Sequence, residues 1–329
     1  MKLIFFGSGG GRMQVYKQIR KTAGFYLELD KKILIDPGLG SYLWFAMKFD
    51  NIIDIEKLDY ILVSHAHIDH CHDIVPYIDR VTWGGTKKRP LKLLASPSVI
   101  EGREFGPCID KRYLSYLESY EIFEENKKYD LSEKTKLEVL KNNHTDPWTF
   151  SMKIKHDKLT IGYISDTSYF DELIDFFKGS DILIINTLRP LNDKHPYHLT
   201  ANQAFKIARA VKPKLTILHH QGFKMLGREI EHLQFFNKRN VFTLLSYEGL
   251  EIDLRTLNFR YLLNKPSYYP YLKELLEKEK LKKFRNSNLN KYLKNKSDFK
   301  NKFLEELKKQ FEPEDMNLNE TWVDKKRLF

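Results

Sequence analysis

Six consecutive positions, His65-Ala66-His67-Ile68-Asp69-His70, hold three imidazoles and one carboxylate. Neutral imidazole nitrogen and carboxylate oxygen make a ligand set suited to zinc or a similar first-row cation. His65 and His67 are two apart, so in extended chain both project to the same side and can share one ion. Asp69 and His70 are adjacent, and a turn can aim both at a second ion. The cluster follows the apolar run Tyr60-Ile61-Leu62-Val63 and Ser64, which reads as a buried strand delivering its C-terminal end to a site. A polar loop with chance histidines is the bland alternative, and the density of ligands weighs against it.

The string His65-X-His67-X-Asp69-His70 resembles the signature of the metallo-β-lactamase superfamily. The resemblance implies an α/β fold, a four-layer αββα sandwich with a dinuclear metal site at one edge. It also implies a later His, a later Asp and a final His, each ending a strand. The chain offers all three. Lys136 to Asn143 ends at His144, and a hairpin of Trp148 to Lys155 and Lys158 to Ser165 stops at Asp166. The run Leu215 to Leu218 ends at His219-His220. Adjacent histidines at a strand end point to opposite sides, so one of the pair reaches the metals. The local string aligns His220 with the family ligand, with His219 as the alternative. Matched to the motif, His65, His67 and His144 would hold one metal, Asp69, His70 and His220 the other, and Asp166 would bridge them. Zinc suits an imidazole-rich site, with manganese and iron as alternatives.

The remaining elements must position these residues. Met1 to Phe6 reads as a first strand, too short in its apolar run for a signal peptide core or a membrane span. Gly7-Ser8-Gly9-Gly10-Gly11-Arg12 fits neither a dinucleotide fingerprint nor a phosphate-binding P-loop, and either touches substrate or turns the chain. Gly24 to Leu29 and Lys32 to Asp36 read as a hairpin. Asp36 either orients a ligating imidazole from behind or forms an Asp-Pro-Gly turn. Ser41 to Phe49 is a helix or a loop lining a pocket. His72 should point away from the metals, and Cys71 should be a small packed residue. Glu101 to Asp130 reads as a substrate-side insertion.

His198 lies in Tyr197-His198-Leu199-Thr200, before a helix that Thr200 can cap. A solvent-facing histidine is one reading. The phosphodiesterase branch of the superfamily carries a similar His-X-Thr facing the scissile phosphate, which makes His198 a candidate to stabilise phosphate charge or protonate the leaving oxygen. His195 reads as a chance residue.

Across 329 residues, 42% hydrophobic and 13% aromatic content can fill a sizeable core, and the net charge of +11 favours anionic partners. Cys71 and Cys108 cannot form a disulfide framework, so a reducing cytoplasm is the expected location. The resemblance covers about residues 1–255, the expected hydrolase domain. Residues 256–329 carry 18 Lys and Arg against 11 Asp and Glu, and Lys280 to Lys302 nine basic against one acidic. This C-terminal basic helical extension has helix signals at Pro270 to Leu276 and Phe303 to Phe311, with narrow stripes suited to packing on the main domain or on another subunit of a homo-oligomer. Its basic run is a solvated face or a nucleic-acid contact.

The resemblance points to a metal-dependent hydrolase, first a phosphodiesterase whose nucleophile is a metal-bridging hydroxide and whose substrate is a small anionic diester. Transfer-RNA 3'-processing endonucleases of the same branch place an RNA-binding arm between the third His and the bridging Asp. Here His144 and Asp166 are 22 residues apart, room for one hairpin. Thioesterase or lactonase chemistry at the same metals is the competing reading, and a nucleic-acid-binding protein with a vestigial site is a third.

Overall fold

The computed structural model describes residues 1–22, 24–267 and 269–274. Its first sheet uses β1 (Lys2–Phe5), β2 (Phe25–Glu28), β3 (Lys32–Ile35), β4 (Tyr60–Val63), β5 (Lys92–Ala95) and β6 (Ser119–Ile122). The second uses β7 (Lys128–Asp130), β8 (Thr135–Lys141), β9 (Phe150–His156), β10 (Leu159–Ile164), β11 (Ile182–Asn186), β12 (Leu215–His219) and β13 (Thr243–Leu245). The chain then returns to the first sheet through β14 (Leu250–Asp253) and β15 (Phe259–Tyr261). The strand orders are β15-β14-β1-β2-β3-β4-β5-β6 and β13-β12-β11-β10-β9-β8-β7. Each sheet has an antiparallel half made of hairpins and a parallel half, β3 to β6 in one and β10 to β13 in the other.

Strand alternation divides the apolar residues between two interiors. Ile4, Tyr26, Leu34, Ile61, Val63 and Leu93 face a helical layer, meeting Phe45 and Phe49 of the Ser41–Lys48 segment and Ile74, Tyr77, Ile78 and Val81 of helix Ile74–Thr82. Their neighbours on the opposite pleat enter the space between the sheets. There Phe5 and Phe25 meet the rings of Tyr163 and His219, and the Tyr60 hydroxyl donates to the Leu131 carbonyl. Helices Ala201–Val211 and Glu229–Asn237 lie on the second sheet, joined by Phe205 against Phe235 and Phe236. The four layers are helix, sheet, sheet, helix, as expected from the sequence.

Apart from the edge strand β6, the parallel strands of both sheets are largely buried on both faces, so they are mostly aliphatic runs and show their polar residues mainly at their ends. Val63, Ile164, Asn186 and His219 bring the loops after β4, β10, β11 and β12 to one edge of the sandwich. This is the usual place for a site in parallel sheets, outside the carboxyl ends of the strands.

Two expectations change. The second half of Glu101 to Asp130 is built into the framework, since β6 extends the first sheet by pairing with β5 and β7 starts the second by pairing with β8, while Phe105 in the first half places its ring 5.7 Å from that of His67. The pattern of the second half is weak because β6 is an exposed edge strand with little alternation to read. The first sheet also runs past residue 255, since Leu250, Glu251 and Ile252 pair with Tyr261, Arg260 and Phe259. Contacts close one unit over Met1–Tyr268, and another begins at Tyr269, of which residues 269–274 are helical. The basic run Lys280 to Lys302 and the helix signal at Phe303 to Phe311 lie outside the described residues. Among the described residues no helix is long and apolar enough to cross a membrane.

Candidate metal centre

After β4 the chain runs through Ser64 and His65 to His67, whose extended backbone precedes the short helix Ile68–Cys71. His65 and His67 therefore leave extended chain on one side, and Asp69 and His70 leave the helix. His65 Nε2 lies 3.0 Å from His67 Nδ1, and His144 Nε2 lies 3.1 Å from the same atom. On the other side His70 Nε2 is 2.9 Å from His220 Nε2, which is 3.1 Å from Asp69 Oδ2. Asp166 stands between the groups, with Oδ2 3.5 Å from His70 Nε2 and 3.8 Å from His144 Nε2, and Oδ1 3.4 Å from His220 Nδ1. All seven residues matched to the motif converge at this edge. In each of the sets His65, His67, His144 and Asp69, His70, His220, donor atoms lie within 4.8 Å of one another.

Groups behind the imidazoles fix where their protons sit. His144 Nδ1 is 3.0 Å from the Tyr197 carbonyl, which can only accept, so Nδ1 carries the hydrogen and Nε2 a lone pair. His70 Nδ1 donates to Asp36 Oδ2 at 2.9 Å, with the same result. The Ser64 hydroxyl donates to Asp36 Oδ2 at 2.7 Å, so it accepts from His65 Nδ1 at 2.9 Å and leaves His65 Nε2 bare. In these tautomers the Nε2 atoms of His65, His70 and His144 all face inward, toward His67 Nδ1 and His220 Nε2. A cation satisfies that arrangement, and the donor set of imidazoles and carboxylates fits zinc or a neighbour of zinc.

The electrostatics agree for His65 and His144, whereas His70, with no cation beside it, keeps a second proton. Burial holds His65 well below the ordinary histidine value and His144 down at about 4, so both are neutral ligands near pH 7. Burial also opposes charge on His70, but the Asp166 and Asp69 carboxylates overcome it and hold His70 well above the ordinary value. Burial would raise Asp166, yet the surrounding imidazoles of His220, His198 and His70 keep it well below the carboxylate range.

The strand end at β12 separates the two candidate histidines. His219 still belongs to the strand and faces between the sheets, packed on Phe5 and Phe25, with Nδ1 2.9 Å from the Ser246 hydroxyl. His220 takes φ 55, a left-handed turn that swings its ring to Asp69 and His70. Gly10 makes room for that ring: a Cβ on Gly10 would lie 2.1 Å from it. The neighbouring Gly11 N–H donates to Asp69 Oδ2 at 2.6 Å, so the glycine loop touches the centre.

Asp36 sits behind the centre, as one of its two readings has it, and accepts from Ser64 N, Ser64 Oγ, His70 and Tyr163 Oη. His72 is exposed beside Asp73, and Cys71 is buried. His198 faces the centre: Nδ1 is 3.5 Å from Asp166 Oδ2, its ring is 4.9 Å from that of His144, and burial lowers it to about 3. Thr200 closes a full capping box with Gln203, which fixes the chain two residues after His198.

Sequence reasoning passed over several residues that hold the centre. Asp146 is fully buried and accepts from Ala66 N, Ser98 Oγ and Trp148 N, tying the loop after His144 to the His65–His67 segment. Asn186 donates to Asp166 Oδ1 at 2.8 Å, and Asn142 to the Asp166 carbonyl at 3.0 Å. Asn186 carried a usable signal, a polar residue ending the apolar run Ile182 to Ile185. His195, taken as a chance residue, lines the cleft beside His198, ring centroids 4.9 Å apart. That cleft, about 740 Å³, opens over Asp69 and Asp166 and is walled by Arg12, Tyr16, Arg189 and Lys224.

Residues 31–221 match the Beta-lactamase superfamily domain. An uncharacterized protein of Methanocaldococcus jannaschii is 30% identical over 270 residues, which are 80% of this chain and 99% of that protein. The probable metallo-hydrolase YhfI of Bacillus subtilis is 27% identical over 232 residues, 68% of this chain and 88% of YhfI. The crystal structure of YhfI superposes with a TM-score of 0.61 at 22% identity, covering 76% of this chain and 98% of that one. Human tRNase Z, short form, gives a TM-score of 0.59 at 16% identity, over 77% of this chain and 99% of its own.

Proposed function

Since the chain belongs to the β-lactamase superfamily and has the fold of its metal-dependent hydrolases, we propose that it is a dinuclear phosphodiesterase. His65, His67 and His144 would hold one cation, Asp69, His70 and His220 the other, and Asp166 would bridge them. Zinc is the cation assigned, with manganese and iron as alternatives. Two such cations supply an activated water near neutral pH and positive charge for the oxygens of a diester.

The chain's own residues do the rest. Asp36, Ser64 and the Tyr197 carbonyl hold a hydrogen on the outward nitrogens of His70, His65 and His144, so that the inward nitrogens are the ones offered to a cation. Gly11 N–H and Asn186 orient the two carboxylates. His198 is the observation that carries the phosphodiester reading. It stands at the open side of Asp166, lines the cleft, and is held by the capped helix start, so it can offer a hydrogen to a phosphoryl or leaving oxygen. Thioester or lactone hydrolysis would leave this imidazole without a task. Human tRNase Z, by its name, acts on transfer RNA, whereas here β9 and β10 are joined directly at Asp157-Lys158. A short or single-stranded diester therefore suits this cleft.

The test is turnover of bis-p-nitrophenyl phosphate by the full-length protein loaded with zinc, manganese or iron, beside Asp166→Ala and His198→Ala. Metal-dependent hydrolysis that vanishes in Asp166→Ala and falls about a hundredfold or more in His198→Ala supports the assignment. An inert diester together with hydrolysis of thioesters or lactones overturns it.

A further inference from the structure

Among the described residues that line the cleft, the ionised side chains apart from the metal-facing Asp69 and Asp166 are Arg12, Arg189 and Lys224, all cations. Two of these are held in place from behind. Asp193, which does not line the cleft, accepts from Arg189 Nη1 at 3.1 Å and from Lys224 Nζ at 2.9 Å. One carboxylate between two cations leaves a net positive charge at this wall. Arg189 Nε is buried and has no hydrogen-bond partner, an unusual cost for a guanidinium nitrogen.

Both cations are built on the ends of strands that also supply the centre. Arg189 follows β11 by three residues, and its backbone pairs with Leu199 and Ala201, so it shares the neck of a closed loop with His198. Lys224 lies in the single turn Phe223–Met225, four residues after His220. The two strand-end loops are pressed together, because a Cβ on Gly222 would lie 2.3 Å from the Leu188 carbonyl. His195 fills the interval between His198 and this pair. Two cations that share one carboxylate on the wall of the cleft over the centre make an arrangement that can read a second anion on the same molecule.

We propose that Arg189 and Lys224 form a second anion subsite, and that the substrate is a diester carrying a further phosphate one unit away from the scissile one. The exposed rings of Tyr16 and Phe223 stand on the same lining, so the group between the two phosphates can be flat and apolar. This deepens the phosphodiesterase reading and rests on it for the scissile phosphate, though the subsite's affinity for an anion does not depend on turnover.

The probes are three thymidine dinucleotides, phosphorylated at neither end, at the 5' end or at the 3' end, given to the metal-loaded full-length protein. One phosphorylated form should have kcat/KM about tenfold or more above the form with free ends. That ratio should collapse toward one in Arg189→Gln and in Lys224→Gln, recover in Arg189→Lys in part, and shrink as salt rises. Equal kcat/KM for all three dinucleotides, or a preference that survives both substitutions, overturns the subsite. If no dinucleotide is cleaved, the phosphodiesterase reading falls by itself, and calorimetric titration with the same three ligands decides the subsite separately. Tighter binding of a phosphorylated form, lost in the glutamine variants, sustains it; equal binding removes it.

Discussion

Replacing Asp36 by asparagine tests the proton placement on which the candidate metal centre depends. The carboxylate is fully buried and accepts four hydrogen bonds, from Ser64 N at 2.7 Å, Ser64 Oγ at 2.7 Å, His70 Nδ1 at 2.9 Å and Tyr163 Oη at 2.6 Å. Three of the four reach Oδ2. An amide there presents N–H groups to donors, and only the two hydroxyls can turn to accept. The amide has two hydrogens for three partners, and where His70 takes one of them it places its lone pair on Nδ1 and its hydrogen on Nε2, the atom that faces His220. Once the Ser64 hydroxyl accepts from the introduced amide, its hydrogen swings to His65 Nδ1, 2.9 Å away, and His65 is reversed as well. Asparagine also tolerates the left-handed backbone at this position, φ 48, so the change isolates charge from chain geometry. Loss of an orienting partner weakens metal binding about 10 to 100-fold, and two reversed ligands place this variant at the upper end, roughly 3 kcal/mol. Zinc affinity and stoichiometry by competition with a chromophoric chelator would read the effect, and nitrogen NMR of the histidines would read the tautomers. Wild-type affinity with wild-type tautomers in a folded variant would refute the proton assignment.

Three further outcomes follow from the same geometry. Gly10→Ala should drive its methyl into the His220 ring, lowering metal affinity at least tenfold and stability by about 1–3 kcal/mol, measured by zinc titration and chemical denaturation. For the metal-free protein, His144 at about 4 and His198 at about 3 bind protons less readily than the unfolded chain, whose histidines titrate near 6.5. Stability should therefore fall as pH drops from 6.5 toward 4, by roughly 3 kcal/mol from His144 alone. The raised His70 and the lowered Asp166 add no slope there, because the first contributes fully below 6.5 and the second is lost only below the carboxylate range. Denaturant unfolding in chelator at several pH values would expose a flat profile if burial of neutral imidazole were unimportant. Finally, Cys71 Sγ and Cys108 Sγ are 3.1 Å apart, so a small-molecule disulfide should join them with loss of two hydrogens, releasing two thiols. Intact mass and peptide mapping would show this; thiols that both remain open to alkylation after oxidant would contradict it.

Local sequence determined a good deal here, for a definite reason. A parallel strand buried on both faces is an aliphatic run, and the first polar residues after it must lie at the sheet edge. Val63 before His65, Ile164 before Asp166 and Leu218 before His219 therefore announced both the strands and the convergence of their ends. The short spacings did the same for His65 with His67 and for Asp69 with His70. Only the tertiary structure could choose between His219 and His220, since the choice depends on one left-handed residue and on the space left by Gly10, more than two hundred positions away. It also decided the partners of Asp36, Asp146, Asn186, Arg189 and Lys224. Each acts through partners remote in sequence, and a buried carboxylate or a tethered cation has no periodicity of its own. Where a side chain's task is set by its own strand, the sequence by itself states it; where the task is set by what another loop brings to within 3 Å, on the order of one hydrogen bond, folding alone supplies the answer.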